Sequence, residues 1–323
     1  MKDIFTRLNN TTIRDLDMYD PITKLKELKE KRNAVILAHY YQDPDIQDAA
    51  DFLGDSLALA QAAQKTDADV ILFCGVHFMA ETAKILNPKK TVLIPDPEAG
   101  CSLADSAPPD EFEKWINKYP DHTVISYINC SAQVKALSDI ICTSSNAEKI
   151  LNSLPADEKI IFAPDQLLGS YLSKKTGRNL RLWHGTCQVH EIFSERELVR
   201  LKMRYPDAKV LAHPECTEAI LQHADIIGST TRIINYAAES DDDIFLIATE
   251  PGVIHQMELK IPDKKYIPVP NQEGCACNEC PYMRLNTIDK MIYSLSNNTH
   301  EIIMPESLRV SALKPLKKML ELS

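Results

Sequence analysis

The sequence predicts an α/β protein of three pseudo-symmetric repeats, each a small three-layer αβα unit with a four-stranded parallel sheet, meeting at a central active site. Three observations carry that expectation. The stretch Lys209 to Arg232, KVLAHPECTEAILQHADIIGSTTR, lies without gaps on TVISYINCSAQVKALSDIICTSSN 86 residues upstream, and on VILAHYYQDPDIQDAADFLGDSLA a further 88 upstream. Polar positions repeat in phase with the apolar ones: His39, Tyr127 and His213; Tyr41, Asn129 and Glu215; Asp51, Asp139 and Asp225; Ser56, Ser144 and Thr230. Short apolar runs also alternate with helical stretches throughout, the pattern of right-handed crossovers and parallel strands.

In chain order, residues 1–32 read as a polar lead-in and an amphipathic helix, with Asp20-Pro21 before ITKLKELKEKR. The first repeat opens on the strand-like VILA just after Ala34, with a second short strand at Phe52-Leu53 and the strong helix former LALAQAAQKT after Ser56. A third strand is expected at Val70–Cys74, a helix over Phe78–Leu86 and a fourth strand at Thr91–Ile94, which runs into PDPEAGC. The second repeat places strands near Val124, Ile140, Ile160 and Leu180–Trp183, ending in HGTC. The third places them near Val210, Ile226, Ile244–Ala248 and Tyr266–Val269, ending in NQEGCACNEC. Residues 282–323 read as helical and are expected to pack on the first unit. The division is 1–103 with 281–323 for the first unit, 104–190 for the second and 191–280 for the third.

At 323 residues the chain exceeds one usual core, and its 44% apolar and 25% charged content is that of a globular protein. No apolar run reaches the roughly 20 residues of a membrane span, and MKDIFTRLNN lacks the apolar core of a signal peptide. A net charge of −10 argues against a nucleic-acid partner. The expectation is a cytoplasmic protein in which the nine cysteines serve metals or catalysis more than disulfides.

The repeat also places the chemistry. Ligands of open parallel sheets bind beyond the carboxyl ends of the strands, where the first two polar columns fall. The Ser/Thr column directly precedes a helix, the N-cap position, whose free N–H groups favour anions. Alone, each hydroxyl reads as a plain cap. Shared phase with His, Tyr, Asn and Glu instead suggests three helix starts facing one substrate with several negative groups. Glu215, at a strand end with no structural task, suits a general base. His190 lies three residues after Cys187, close enough to touch a substrate there. The Asp column reads as structural, bonding a helix or loop of its own unit. His77, His122, His184, His223, His255 and His300 have no partners in phase and receive no role.

The cysteines keep the same stride. Cys101 and Cys187 each follow a fourth strand, and a further 88 residues reach Cys275, the first of Cys275, Cys277 and Cys280. Cys74, Cys130, Cys142 and Cys216 read as small buried apolar groups. Three converging thiolates with no fourth suit a 4Fe–4S cluster with one iron lacking a cysteine, a Lewis acid for the substrate. A mononuclear zinc lyase or aldolase with a three-cysteine site is the alternative. A cluster-bearing redox sensor is disfavoured, since a sensor needs neither phased hydroxyls nor a strand-end Glu.

From about Asn33 to Asn286 the chain resembles the quinolinate synthase family, through HYYQDPDIQDAADFLGDS, PDPEAGCSLADS, YINCSAQVKA, CTSSNA, HGTCQVHE, AHPEC, GSTT and CNECPYM. The resemblance implies condensation of iminoaspartate with dihydroxyacetone phosphate to quinolinate in NAD biosynthesis, at an oxygen-sensitive 4Fe–4S cluster. It implies Cys101, Cys187 and Cys280 as cluster ligands, and Tyr41, His190 and Glu215 for proton transfer. By the same likeness Ser56, Ser144 and Thr230 hold carboxylate or phosphate oxygens, Tyr127 and Asn129 order the substrate, and His39 and His213 contact it. Repeat phase favours Cys275 where the family motif favours Cys280; the motif is preferred, since a loop lengthens cheaply. Gly274 occupies the first position of the CxxCxxC run that some members carry, which puts redox switching by that outer pair in doubt, while Cys277 and Cys280 still form a CxxC. Oligomeric state, and docking of an L-aspartate oxidase to deliver the iminoaspartate, stay open.

Overall fold

Asp20 opens the chain as the computed structural model describes it, over residues 20–323. Its carboxylate accepts from the backbone N–H groups of Ile22 and Thr23, both at 3.1 Å, and so caps the helix Pro21–Lys31. The polar lead-in expected before this helix lies outside the described residues.

The first unit contains β1 (Ala34–His39), β2 (Phe52–Gly54), β3 (Val70–Cys74) and β4 (Thr91–Leu93). The second contains β5 (Thr123–Tyr127), β6 (Ile140–Cys142), β7 (Ile160–Ala163) and β8 (Leu180–Leu182). The third contains β9 (Lys209–Ala212), β10 (Ile226–Ile227), β11 (Ile244–Ala248) and β12 (Lys265–Pro268). Each forms its own all-parallel sheet with the opening strand inside, in the orders β2-β1-β3-β4, β6-β5-β7-β8 and β10-β9-β11-β12. Register repeats as well: Leu37 faces Phe52, Ile125 faces Ile140, and Leu211 faces Ile226.

Every residue of β3, β6 and β7 is buried, as expected of strands covered on both faces. Alternate residues serve different cores. In β1 and β3, Val35, Leu37, Ile71 and Phe73 join a cluster shared with Ile125, Tyr127, Ile160 and Phe162 of the second unit. Ile36, Ala38, Leu72 and Cys74 turn the other way, toward Leu25 and Leu28 of the first helix. The third unit splits likewise, with Val210 and Leu246 on one face and Leu211 and Phe245 on the other. Cys74, Cys130, Cys142 and Cys216 are buried, as expected.

The Asp column explains why the three opening strands start alike. Asp51, Asp139 and Asp225 each accept from a backbone N–H of the opening strand, at Ile36 (2.9 Å), Val124 (2.8 Å) and Val210 (2.8 Å). Each also returns its own N–H to the carbonyl of that same residue at 2.9 Å. The role is structural, as expected; the shared partner is the neighbouring strand, and Asp51 also accepts from Lys29 of helix Pro21–Lys31 at 2.6 Å. These carboxylates satisfy strand groups beyond the reach of the short second strands.

The tail departs from expectation in one respect. Helix Ile288–Asn297 lies on the first unit, with Met291, Ile292 and Leu295 against Leu25 and Leu28. Helix Glu306–Leu322 instead packs on helix Ala132–Ala136 and β6 of the second unit as well as on helix His77–Leu86 of the first. Ala312, Leu316 and Met319 enter the core that these two units share, so the helix closes their joint and does not sit on the first unit alone. No helix among the described residues is long and apolar enough to cross a membrane.

Candidate active site

A cavity of about 70 Å3 lies where the carboxyl ends of strands from all three sheets converge. Its lining includes His39, Tyr41, Ser56, Cys101, Tyr127, Asn129, Ser144, Cys187, His190, His213, Glu215, Thr230 and Cys280. One space thus gathers the residues of the His/Tyr, Tyr/Asn/Glu and Ser/Thr columns with His190 and the three cysteines of the family motifs, while Cys275, which repeat phase favoured, is not among them. Among the described residues, no Lys or Arg lines it.

The two histidines of the first column are built alike. His39 Nδ1 accepts from the backbone N–H of Tyr41 at 3.2 Å, and His213 Nδ1 accepts from that of Glu215 at 3.4 Å. An imidazole that accepts at Nδ1 carries its proton on Nε2. Burial holds His39 down to about 4 and His213 down to about 3, so both are neutral near pH 7. Each is therefore an uncharged N–H donor; that of His213 reaches the Ser144 hydroxyl at 3.3 Å. The third member of the column, Tyr127, is kept protonated by burial and by the Glu215 carboxylate beside it.

A chain of hydrogen bonds runs through the second column. Glu215 Oε2 lies 2.8 Å from His190 Nδ1, and His190 Nε2 lies 2.9 Å from the Thr249 hydroxyl. The Tyr41 hydroxyl lies 2.9 Å from Thr249 Oγ1 and 2.9 Å from Thr230 Oγ1. Glu215 and His190 are buried, and their contact joins strand end to cysteine turn. Burial by itself would push the Glu215 carboxyl up; the imidazoles of His213 and His190 and the hydrogen bond from Tyr127 outweigh it and hold the group down. Burial raises Tyr41 well above the usual phenol range, so it stays protonated at neutral pH. The side-chain oxygen of Asn129 is buried without a partner, an acceptor free for a ligand N–H or hydroxyl.

The hydroxyl column requires a correction. Ser56 and Thr230 are the first residues of their helices, Ser56–Lys65 and Thr230–Glu239, and not the caps. The caps are the preceding residues: Asp55 accepts from Ala58 N and Ser229 accepts from Arg232 N. Ser144 lies in the turn before helix Ala147–Ser153, three residues upstream of its start. Beside Ser56 and Thr230 capping thus falls to the preceding residue, helix Ala147–Ser153 has no side-chain cap, and the column hydroxyls line the cavity without that task. Asp55 does more than cap. Its Oδ2 accepts from Ser145 Oγ of the second unit at 2.9 Å and from Thr231 Oγ1 of the third at 2.7 Å.

The three thiols share one local design. Cys101, Cys187 and Cys280 each begin a turn in which the backbone N–H groups two and three residues on point at the sulfur: Leu103 and Ala104, Val189 and His190, Tyr282 and Met283. Burial pushes Cys101 up to about 12 and raises the other two, while these N–H groups work against it. Such a set stays protonated until a cation stabilises the thiolates, and the amide groups then support the added negative charge. Cys275 and Cys277, both exposed, are joined to each other as a disulfide. The pairing departs from the expectation of thiols reserved for metals, and it leaves Cys280 as the free cysteine of its segment at the cavity. Three soft sulfur donors converging on one cavity fit an iron–sulfur cluster. Ligand atoms of Cys187, His190 and Glu215 also lie within 4.8 Å of one another, a grouping of a size to hold a single ion.

Thr249 and Glu250 escaped sequence reasoning, as did the apolar lining residues Val76, Phe78, Met79, Val189 and Met283. Both polar residues directly follow β11, so the strand-end rule that marked the opening strands would have found them if extended to the third strand of each repeat.

The family model described as "Quinolinate synthetase A protein" matches residues 23–321. The chain is 60% identical to the quinolinate synthase of Gloeothece citriformis over 305 residues, which cover 94% of each protein. It is 60% identical to that of Chloroherpeton thalassium over 312 residues, 96% of each. It is also 58% identical to that of Trichodesmium erythraeum over 320 residues, 98% of each.

Proposed function

Since the chain belongs to the quinolinate synthase family, we propose that it condenses iminoaspartate with dihydroxyacetone phosphate. The products are quinolinate, phosphate and two waters, and the pathway served is NAD biosynthesis. The observation behind this reading is the meeting of three matched cysteine turns with the Glu215–His190–Thr249–Tyr41 chain in one cavity.

Cys101, Cys187 and Cys280 would hold a 4Fe–4S cluster, which when bound supplies an iron without a cysteine ligand, a Lewis acid toward a substrate oxygen or nitrogen. Among the described residues the lining has no Lys or Arg to neutralise two carboxylates and a phosphate, so its own residues act as neutral donors. The Nε2–H groups of His39 and His213, the hydroxyls of Ser56, Ser144 and Thr230, and the N–H groups at the helix starts bind substrate oxygens. Asn129 and Tyr127 orient the substrate. Tyr41 donates its phenolic proton to a departing hydroxyl, and the Glu215 carboxylate takes a proton from the substrate and passes it through His190 and Thr249 to Tyr41, so the proton lost is replaced. Ring formation needs several proton transfers and loss of two waters, and a hydrogen-bonded chain with an acid at one end and a base at the other serves both directions.

A mononuclear zinc lyase or aldolase is the second reading, favoured by the compact grouping of Cys187, His190 and Glu215. Colour and metal content separate the two: protein purified without oxygen is brown with the cluster and colourless with zinc. The activity test is an anaerobic assay for quinolinate from the two substrates. Brown protein that forms none with both substrates present would refute the proposed reaction. An L-aspartate oxidase, as the source of the unstable iminoaspartate, is the partner that this reading proposes.

A further inference from the structure

Cys280 is a cavity cysteine that no helix or strand carries. Cys101 directly precedes helix Ser102–Asp105, whereas Cys280, like Cys187, lies outside the helices and strands; its stretch runs between β12 and helix Ile288–Asn297, beside a 3-10 turn at Met283–Leu285. Something outside that stretch must fix it. Glu250, two residues beyond β11 and wholly buried, accepts three N–H donors. Its Oε1 takes Arg284 Nη2 at 2.8 Å and the backbone N–H of Cys280 at 3.3 Å, and its Oε2 takes the backbone N–H of Gly252 at 2.7 Å. Arg284 reaches on to Asp43 Oδ1 at 2.8 Å, and its own N–H bonds the Cys280 carbonyl at 3.3 Å. The Cys280 N–H is thus held by the Glu250 carboxylate, and its C=O by the backbone of the residue whose guanidinium pairs with that carboxylate.

The same pair touches the other end of the relay. A Cβ on Gly252 would stand 2.7 Å from Glu250 Oε2 and 3.1 Å from both Tyr40 O and Tyr41 C, so only glycine permits this approach. Asp43 is two residues from Tyr41, and Gln47 Nε2 ties the carbonyls of Tyr40 and Gly252 together at 2.9 Å each. Burial pushes the Glu250 carboxyl up to about 8 against the pull of Arg284 and the two backbone N–H groups. All three contacts are donors, so the ionised carboxylate is the form that satisfies them.

We infer that Glu250 and Arg284 are positioning residues, a buried ion pair that fixes Cys280 as the third cluster ligand and sets it in register with Tyr41. This rests on the cluster reading, since it is the cluster that requires a fixed third thiol. Partners of metal ligands at this remove change metal retention by about 10- to 100-fold when lost.

The test uses full-length protein reconstituted without oxygen from ferrous iron and sulfide, in wild type, Glu250→Gln, Arg284→Met and Asp43→Asn forms. Iron release to a ferrous chelator is followed by absorbance. In protein stripped of iron, alkylation of Cys280 and Cys101 by iodoacetamide is located by mass spectrometry. Glu250→Gln and Arg284→Met should each release iron about ten-fold faster or more. Cys280 should alkylate faster in both, with Cys101 unchanged and far-UV dichroism intact. A general loss of stability would expose both thiols alike and would overturn the assignment. Release and alkylation within about two-fold of wild type in folded variants would overturn it too. Should both buried variants fail to fold, Asp43→Asn decides, because it removes the half-exposed outer partner of Arg284 and leaves the buried contacts. It should raise Cys280 alkylation selectively, and an unchanged rate sinks the inference. Wild-type protein that keeps no iron would overturn the cluster reading instead, while the alkylation arm still reports on the ion pair.

Discussion

Ser56 stands one residue inside its helix, so its hydroxyl and the cap belong to different side chains. Ser56→Ala should leave stability within about 0.5 kcal/mol, because Asp55 keeps the cap. The same variant should lose about 1.5–3 kcal/mol of hydrogen bonding to a charged substrate oxygen, a fall of about 10- to 150-fold in kcat/KM. Ser229→Ala should reverse the pattern, costing about 1 kcal/mol of stability with kcat/KM largely kept. Thermal unfolding beside steady-state kinetics reads both, and a Ser56→Ala enzyme of normal activity would remove the anion-binding role. The misplaced cap shows the limit of sequence reading at this scale. Asp55-Ser56 and Ser229-Thr230 each offer two capping side chains in a row, and backbone dihedrals, not residue type, choose between them.

His213 makes a pH-dependent contribution whose sign follows from its depressed value. An unfolded histidine binds a proton near 6.5, while the folded one resists until about 3. Above 6.5 neither state is protonated and the residue adds no pH dependence. As the pH falls below 6.5 the unfolded chain takes up the proton and folding loses about 1.4 kcal/mol per unit for this one group. His213→Asn has no such loss. Its stability relative to wild type should therefore rise by about 2 kcal/mol between pH 6.5 and 4.5, above the range where Glu215 titrates. Urea midpoints across that window measure it, and a constant difference would mean that His213 is not held neutral.

At the scale of elements, strands were legible and turns were not. All three opening strands and the largely buried third strands carry dense runs of Val, Ile and Leu, which periodicity finds without help. The cysteine turns are defined by which N–H points at which sulfur, a property that no spacing encodes. Repeat phase accordingly favoured Cys275, which the fold places outside the cavity in a pair with Cys277. Cys101→Ser, Cys187→Ser and Cys280→Ser should each abolish retention of reconstituted iron, while Cys275→Ser should keep it. Iron and sulfide assays on desalted protein decide the matter, and the opposite order for Cys275 and Cys280 would transfer the third ligand to the exposed loop. The tail helix Glu306–Leu322 was legible as a helix, but its place between two units depends on surfaces assembled from both.

Across the whole molecule the three units are one cooperative body at their centre. The first and second share a hydrophobic cluster, and Asp55 bonds hydroxyls of the second and third at the point where all three meet. On the outer side of that point lies a groove of about 870 Å3, lined from all three units and including Asp55 and Ser144, which the inner cavity also touches. A carboxylate that caps its own helix and accepts from two other units couples three folding events. Asp55→Ala should cost about 1 kcal/mol for the cap and about 1.5–3 kcal/mol for each charge-assisted bond, an upper limit because solvent screens part of it. Thr231→Ala removes one of those bonds and leaves the carboxylate with Ser145 and Ala58. If the bond between Asp55 and Thr231 joins the units, adding Thr231→Ala to Asp55→Ala should cost clearly less than Thr231→Ala alone, with a coupling energy of about 1 kcal/mol. Urea unfolding of the four proteins supplies the cycle. Strict additivity would mean that the contact carries no energy between units, and the cohesion of the centre would then rest on the shared apolar core and the tail helix alone.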